Sequence, residues 1–151
     1  MEKIFIGGDH AAIEMKNAAI AYLRNTFRRE IIDVGAYDGE RVDYPDYAAK
    51  VCEEVLKDKE AFGILICGTG IGMSIAANKH KGVRAALARN SYEARMAREH
   101  NDANVLCLGA RTIGLGIMES VLDSWVSASF EGGRHSARLK KIAELEDKCF
   151  S

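Results

Sequence analysis

Apolar residues along the chain fall into short continuous runs, separated by longer stretches in which they recur every three or four positions. Lys3 to Ile6, Ile31 to Val34, Ala61 to Cys67, Val83 to Ala88 and Asn104 to Leu108 form the short runs. Such runs suit strands buried on both faces. Between them, Ala11 to Asn25 offers Ile13, Ala19, Ile20 and Leu23 to one helical face. Pro45, the only proline, fits the first turn of a helix through Leu56, where its missing N–H costs nothing. Met73 to Asn78, Ser91 towards His100, Thr112 to Ser129 and Ser136 to Lys148 complete the predicted helices. Ser91 is the expected cap of its helix. Gly114 and Gly116 loosen the next one, and Leu139, Ile142, Ala143 and Leu145 stripe the last.

Strands alternating with helices predict a mostly parallel sheet covered by helices on both faces. No linker, repeat or low-complexity tract divides the chain, so residues 1–151 are expected to form one domain. Open parallel sheets bind ligands at the carboxyl ends of their strands. That rule directs attention to Gly8–His10, Cys67–Gly72, Arg89–Ser91 and Gly109–Arg111.

Composition narrows the classes of function. The formal net charge is −1, which gives no electrostatic case for nucleic acid or an anionic membrane. The amino terminus has too short an apolar stretch for a signal-peptide core, and no run approaches a membrane span. The four cysteines, Cys52, Cys67, Cys107 and Cys149, show no metal-type spacing. They read as reduced thiols in a cytoplasm.

The segment Cys67-Gly68-Thr69-Gly70-Ile71-Gly72 carries the most information. Glycines at alternate positions admit a ligand close to the backbone and expose N–H groups, and the following helix adds the positive end of its dipole. A tight strand-to-helix turn would need the same small residues. The segment is neither a Walker A loop nor G-x-G-x-x-G, since Met73 stands where the third glycine would fall. A thiolate at such a helix start is a base or nucleophile, whereas a cysteine ending a strand is otherwise core. Thr69 offers a hydroxyl to the same place. Asp9 and His10 follow the first strand, where Asp9 serves equally as a substrate contact or a helix cap. His100 and Asn101 end a helix. Arg111 follows the fifth strand, and Arg134 and Arg138 share a helical face. Guanidinium suits phosphate through its paired donors, though for any single arginine solvated surface charge is the leading reading. Tyr44, with Asp43 and Arg41, lies in the polar loop before the second helix.

The blocks GGDHAA, RVDYPDYA, ILICGTGIGMSIAANK, EHNDANVLCLGAR and FEGGRHSAR, in that order, resemble ribose-5-phosphate isomerase B. The likeness runs from Lys3 to about Ile142 and extends to isomerases of allose and galactose 6-phosphates. It implies a Rossmann-like three-layer α/β/α sandwich with a five-stranded sheet. It also implies a homodimer or tetramer with sites at the subunit interface, no metal and no organic cofactor. The helix over about 136–148 is then expected at the dimer interface.

The resemblance assigns Cys67 as the base and His100 as the group that assists ring opening, with Asp9 and Thr69. Asp9 and His10 become substrate contacts, Gly68 to Gly72 an anion-stabilising loop, and Asn101, Arg111, Arg134 and Arg138 substrate or phosphate contacts. Outside the resemblance, Tyr44 with its loop either lines a pocket rim or merely shapes the loop. Ser74 and Ala76 stand where some relatives carry a catalytic glutamate, so nothing competes with Cys67. The expected activity is interconversion of ribose 5-phosphate and ribulose 5-phosphate through a cis-enediolate. The alternatives are a six-carbon isomerase for allose or galactose 6-phosphate, decided by pocket length, and a non-catalytic nucleotide-binding module, indifferent to Cys67.

Overall fold

Each predicted strand is present, and each predicted helix appears with shifted ends. The structure is a computed structural model that describes residues 1–150. Ser151, the last residue of the expected domain, lies outside them. The elements are β1 (Lys3–Gly8), α1 (Ile13–Phe27), β2 (Glu30–Asp33), α2 (Tyr44–Lys57), β3 (Ala61–Cys67), α3 (Ile71–Ala77), β4 (Ala85–Leu87), α4 (Ser91–Glu99), β5 (Val105–Gly109), α5 (Leu115–Ser127) and α6 (Arg134–Cys149). The strands lie in the order β2-β1-β3-β5-β4, and all four pairings are parallel. The expected α/β sandwich is observed, with a sheet parallel throughout.

Parallel strands need crossovers, and the crossovers build one core on each face. On one face Ile4, Ile6, Phe62, Ile64, Ile66, Leu106 and Leu108 pack against α1, α5 and Ala94 of α4. Trp125 of α5 is fully buried there, edge-on to Phe62 at 5.8 Å between ring centroids. On the other face Phe5, Leu65, Cys67, Val105 and Cys107 pack against α2 and α3. The lone polar member of the buried face of α1 is Lys16, 1% exposed, whose Nζ lies 2.6 Å from Asp33 Oδ1. The same oxygen accepts from the Gly35 N–H, so the pair anchors the loop that runs from β2 towards α2.

Three local expectations are corrected. Asn90, not Ser91, caps α4: its side chain accepts from the Glu93 N–H, while Glu93 Oε2 accepts from the Arg89 N–H. The carboxamide reaches the orphan donor from one residue further back, which leaves Ser91 inside the first turn. Helix α3 begins at Ile71 rather than Met73, because Gly70 caps it in the left-handed region (φ +78°) and closes the turn two residues early. Helix α5 begins at Leu115, with Gly114 as its extended N-cap, and so starts three residues later than predicted. The stripe of α6 is not buried within the chain: Ile142 and Leu145 are 48% and 61% exposed, and Leu139 is half-buried.

Candidate active site

The chain leaves β1 for β2 on one side and β3 for β4 on the other, so a crevice opens between the carboxyl ends of β1 and β3. That is where such sheets hold ligands. Asp9 and His10 emerge from β1, and Cys67 ends β3. The Asp9 N–H donates to the Ile66 carbonyl, which fixes Asp9 beside the cysteine. Its Oδ1 accepts from the Ala11 N–H, an Asx turn rather than a cap of α1, whose N-cap is Ala12. Asp9 is buried, 8% exposed.

The turn after Cys67 is arranged around its sulfur. Cys67 is buried, and its Sγ accepts from the Gly70 N–H at 3.2 Å. Thr69 Oγ1 accepts from the Ile71 N–H. Among the described residues, the N–H groups of Gly68 and Thr69 donate to no protein acceptor. Two free backbone donors beside a buried sulfur are what an oxyanion requires. Arg111 is tied to the turn by its N–H, which donates to the Gly68 carbonyl, and its guanidinium lies over Gly68. The Tyr44 ring lies so close to Gly72 that a Cβ there would come within 2.9 Å of the phenol oxygen. His10 Nδ1 accepts from the Val42 N–H, so the neutral ring carries its proton on Nε2 and can donate to a ligand.

The other two buried cysteines have different surroundings. Burial pushes the Cys52 thiol up to about 12, with Glu53 adding to the shift. Burial likewise raises Cys107 well above its ordinary value. Both are held as thiols in the core, and Cys149 is exposed at the end of α6.

The remaining predicted residues gather elsewhere. His100 ends α4, and the Asn101 and Asp102 carbonyls accept from Arg84, the residue before β4. They therefore sit at the amino edge of the sheet, while Cys67 pairs with Gly109 at the carboxyl edge. The length of β5 alone, on the order of 15 Å, separates the two edges. Arg134 and Arg138, on α6, lie near His135, which also neighbours His100. One copy of the chain thus unites Asp9, His10, Tyr44, Cys67, Gly68 to Gly72 and Arg111. It keeps His100, Asn101, Arg134 and Arg138 apart from them.

His135 and Glu131 were not foreseen. The His135 ring, 4% exposed, stacks on His100 with centroids 4.1 Å apart and planes 17° from parallel. Its pKa falls below the ordinary imidazole value through desolvation first, then the nearby His100 and Arg134. Next to Arg134, a histidine in a charged helix reads as surface, and only its place in FEGGRHSAR could have marked it.

The depressed pKa carries a sign. Between the folded pKa of His135 and the usual value near 6.5, the unfolded chain binds more protons, so stability is full above about pH 6.5 and declines as pH falls through the folded pKa. Melting temperatures followed from about pH 7.5 downwards should fall less steeply for His135→Gln than for wild type. Equal slopes would remove His135 as the source.

Residues 4–142 match the family model described as Ribose/Galactose Isomerase. The chain belongs to the ribose/galactose isomerase family. Among curated relatives, the chain is 43% identical to ribose-5-phosphate isomerase B of Escherichia coli over 98% of its length and 99% of the relative's. Among solved structures of the family, ribose-5-phosphate isomerase B of Clostridium thermocellum superposes with a TM-score of 0.94. It is 50% identical and covers 97% of this chain and 99% of its own. The Mycoplasma genitalium enzyme, solved with bound ribulose 5-phosphate, gives a TM-score of 0.92 at 40% identity, with 97% of each chain covered. The resemblance read from the five sequence blocks is borne out. No helix of the described residues is long and apolar enough to cross a membrane.

Proposed function

We propose that this chain interconverts ribose 5-phosphate and ribulose 5-phosphate in the cytoplasm. One observation carries the reading: a buried Cys67 sulfur lies among free backbone donors at the mouth of the β1–β3 crevice, in a chain of this family. The proton moves between adjacent carbons. Cys67 thiolate takes it from C2, the free N–H groups of Gly68 and Thr69 in the Gly68–Gly72 loop hold the negative charge of the cis-enediolate, and Cys67 returns the proton to C1. Asp9 and Thr69 serve the ring-opening step that precedes it. His10 and the arginines bind the phosphate, and Tyr44 closes the side of the pocket over Gly72. The chemistry calls for no metal and no organic cofactor.

His100, Asn101, Arg134 and Arg138 complete the site from a second copy of the chain. Two facts support this: their position at the opposite edge of the sheet, and the unburied stripe of α6. A groove of about 400 Å³ between α6 and β4, lined by Val83, Leu139, Ile142 and Leu145, adds apolar surface on the same side. Two inactive variants, Cys67→Ala and Arg134→Ala, should therefore complement each other once subunits exchange. For a two-fold dimer the mixture should reach about a quarter of wild-type activity, the statistical share of intact sites. No recovery after demonstrated exchange would place every site within one chain.

A coupled assay with ribose 5-phosphate, allose 6-phosphate and galactose 6-phosphate tests the substrate. One extra carbon in a fitted pocket should lower kcat/KM by about 10–200-fold, in favour of ribose 5-phosphate. Preference for a six-carbon substrate would replace the pentose reading and keep the mechanism.

A further inference from the structure

We propose that His100, Glu131 and His135 form a binding site for a divalent transition-metal ion of the zinc class. Each residue offers one ligand atom, and the three atoms lie within 4.8 Å of one another. Glu131 Oε2 and His135 Nε2 are 3.5 Å apart. A tetrahedral ion with bonds of about 2.0–2.2 Å sets its ligand atoms about 3.4 Å apart, so this pair already spans one edge of such a site.

A second observation points to a ligand here. His135 is buried, and its Nε2 has no hydrogen-bond partner among the described residues. The spacing to Glu131 is too long for a good hydrogen bond and right for a shared ion. A buried polar nitrogen left unpaired is costly, and an ion between it and the carboxylate would supply the missing partner.

The backbone holds the ligands in place. The Glu131 N–H donates to the Glu99 carbonyl, which ties this segment to the end of α4 where His100 stands. Gly132 and Gly133, both at positive φ, then turn the chain so that Glu131 and His135 approach. The ring of His100 lies parallel to that of His135 and is only partly buried, so it has room to tilt its lone pair towards the ion.

Two imidazoles with one carboxylate select zinc, nickel or copper over magnesium or calcium, which prefer oxygen ligands. Arg134 and Arg138 lie near enough to repel a cation, so binding depends on the ligand bonds rather than on the local field. The fourth position stays open to water. If His100 assists ring opening, a bound ion takes away its proton chemistry and inhibits the enzyme; that consequence rests on the isomerase reading, whereas the site itself does not.

The test is titration calorimetry with zinc chloride on untagged full-length protein. Cys67→Ala/Cys149→Ser forms the background, so that no accessible thiol competes. One zinc per chain should bind, with no comparable heat from magnesium. Loss of an outer-shell partner commonly weakens a metal by 10–100-fold, so Glu131→Ala in this background should weaken zinc by at least about tenfold, and His135→Ala likewise. Absence of zinc binding, or an unchanged affinity in Glu131→Ala, would overturn the site. With the thiols restored, zinc inhibition of the coupled assay should weaken by the same factor in Glu131→Ala. Equal inhibition of both proteins would assign it to the Cys67 thiolate and remove the regulatory consequence.

Discussion

Cys67→Ala should lower kcat by about 10²–10⁴-fold while leaving affinity for substrate within a few fold. That loss corresponds to about 3–5 kcal/mol of barrier. The sulfur is buried at the end of β3 and accepts directly from the Gly70 N–H at 3.2 Å, at the start of the glycine turn. Alanine removes it and leaves the turn, since Gly68, Thr69 and Arg111 are held by bonds that do not involve the sulfur. The phosphate contacts are separate groups, so binding should persist. Coupled kinetics with calorimetric affinity, and circular dichroism to confirm folding, make the measurement. A folded variant keeping more than roughly a tenth of wild-type kcat would take the base role from Cys67 and give it to Asp9, whose N–H bond to the Ile66 carbonyl holds its carboxyl group beside Cys67.

Gly70→Ala should damage stability and activity together. At φ +78° an alanine is strained wherever it points. Here its Cβ would also fall 2.9 Å from the Leu108 carbonyl carbon and 3.0 Å from its oxygen, backbone atoms of β5 that cannot swing away. Strain and overpacking together should cost about 2–4 kcal/mol. For a chain of this size that lowers the melting temperature by roughly 5–12 °C. The turn must shift to relieve the clash, and it carries the Gly70 N–H away from Cys67. A displacement near 1 Å in such a site costs on the order of 10²-fold in rate. Gly39→Ala is the control, because its Cβ would meet nothing within 4 Å. That change should stay within about 0.5 kcal/mol. An unchanged melting temperature for Gly70→Ala would show that the turn is softer than its geometry indicates.

The strands were legible because burial on both faces leaves continuous apolar runs, and Ala61–Cys67 appears with the predicted ends. Helix ends were less so. At α4 the neighbouring Asn90 and Ser91 are both good caps, and only the positions of their side chains decide between them. Residues that follow strands β1, β3 and β5 could be assigned to one crevice, since the carboxyl-edge rule depends on order alone. His100 could not be placed by that rule, because a helix running back along the sheet delivers its end to the amino edge. For α6 the periodicity correctly marked an apolar stripe but not what covers it: a period reports that a face exists, and burial depends on what stands opposite.

The fully buried Trp125 has a consequence for spectroscopy. It is the only indole in the chain and lies in the α1–α5 layer, across the sheet from the cysteine turn. Its emission in the folded protein therefore comes from a single dry environment, and the shift to longer wavelength on unfolding reports the collapse of that layer alone. The indole and its edge-on neighbour Phe62 are not among the residues gathered at the crevice, so the same signal is expected to stay quiet during turnover. Fluorescence can thus separate loss of fold from loss of chemistry in one cuvette, for every substitution made on the opposite face.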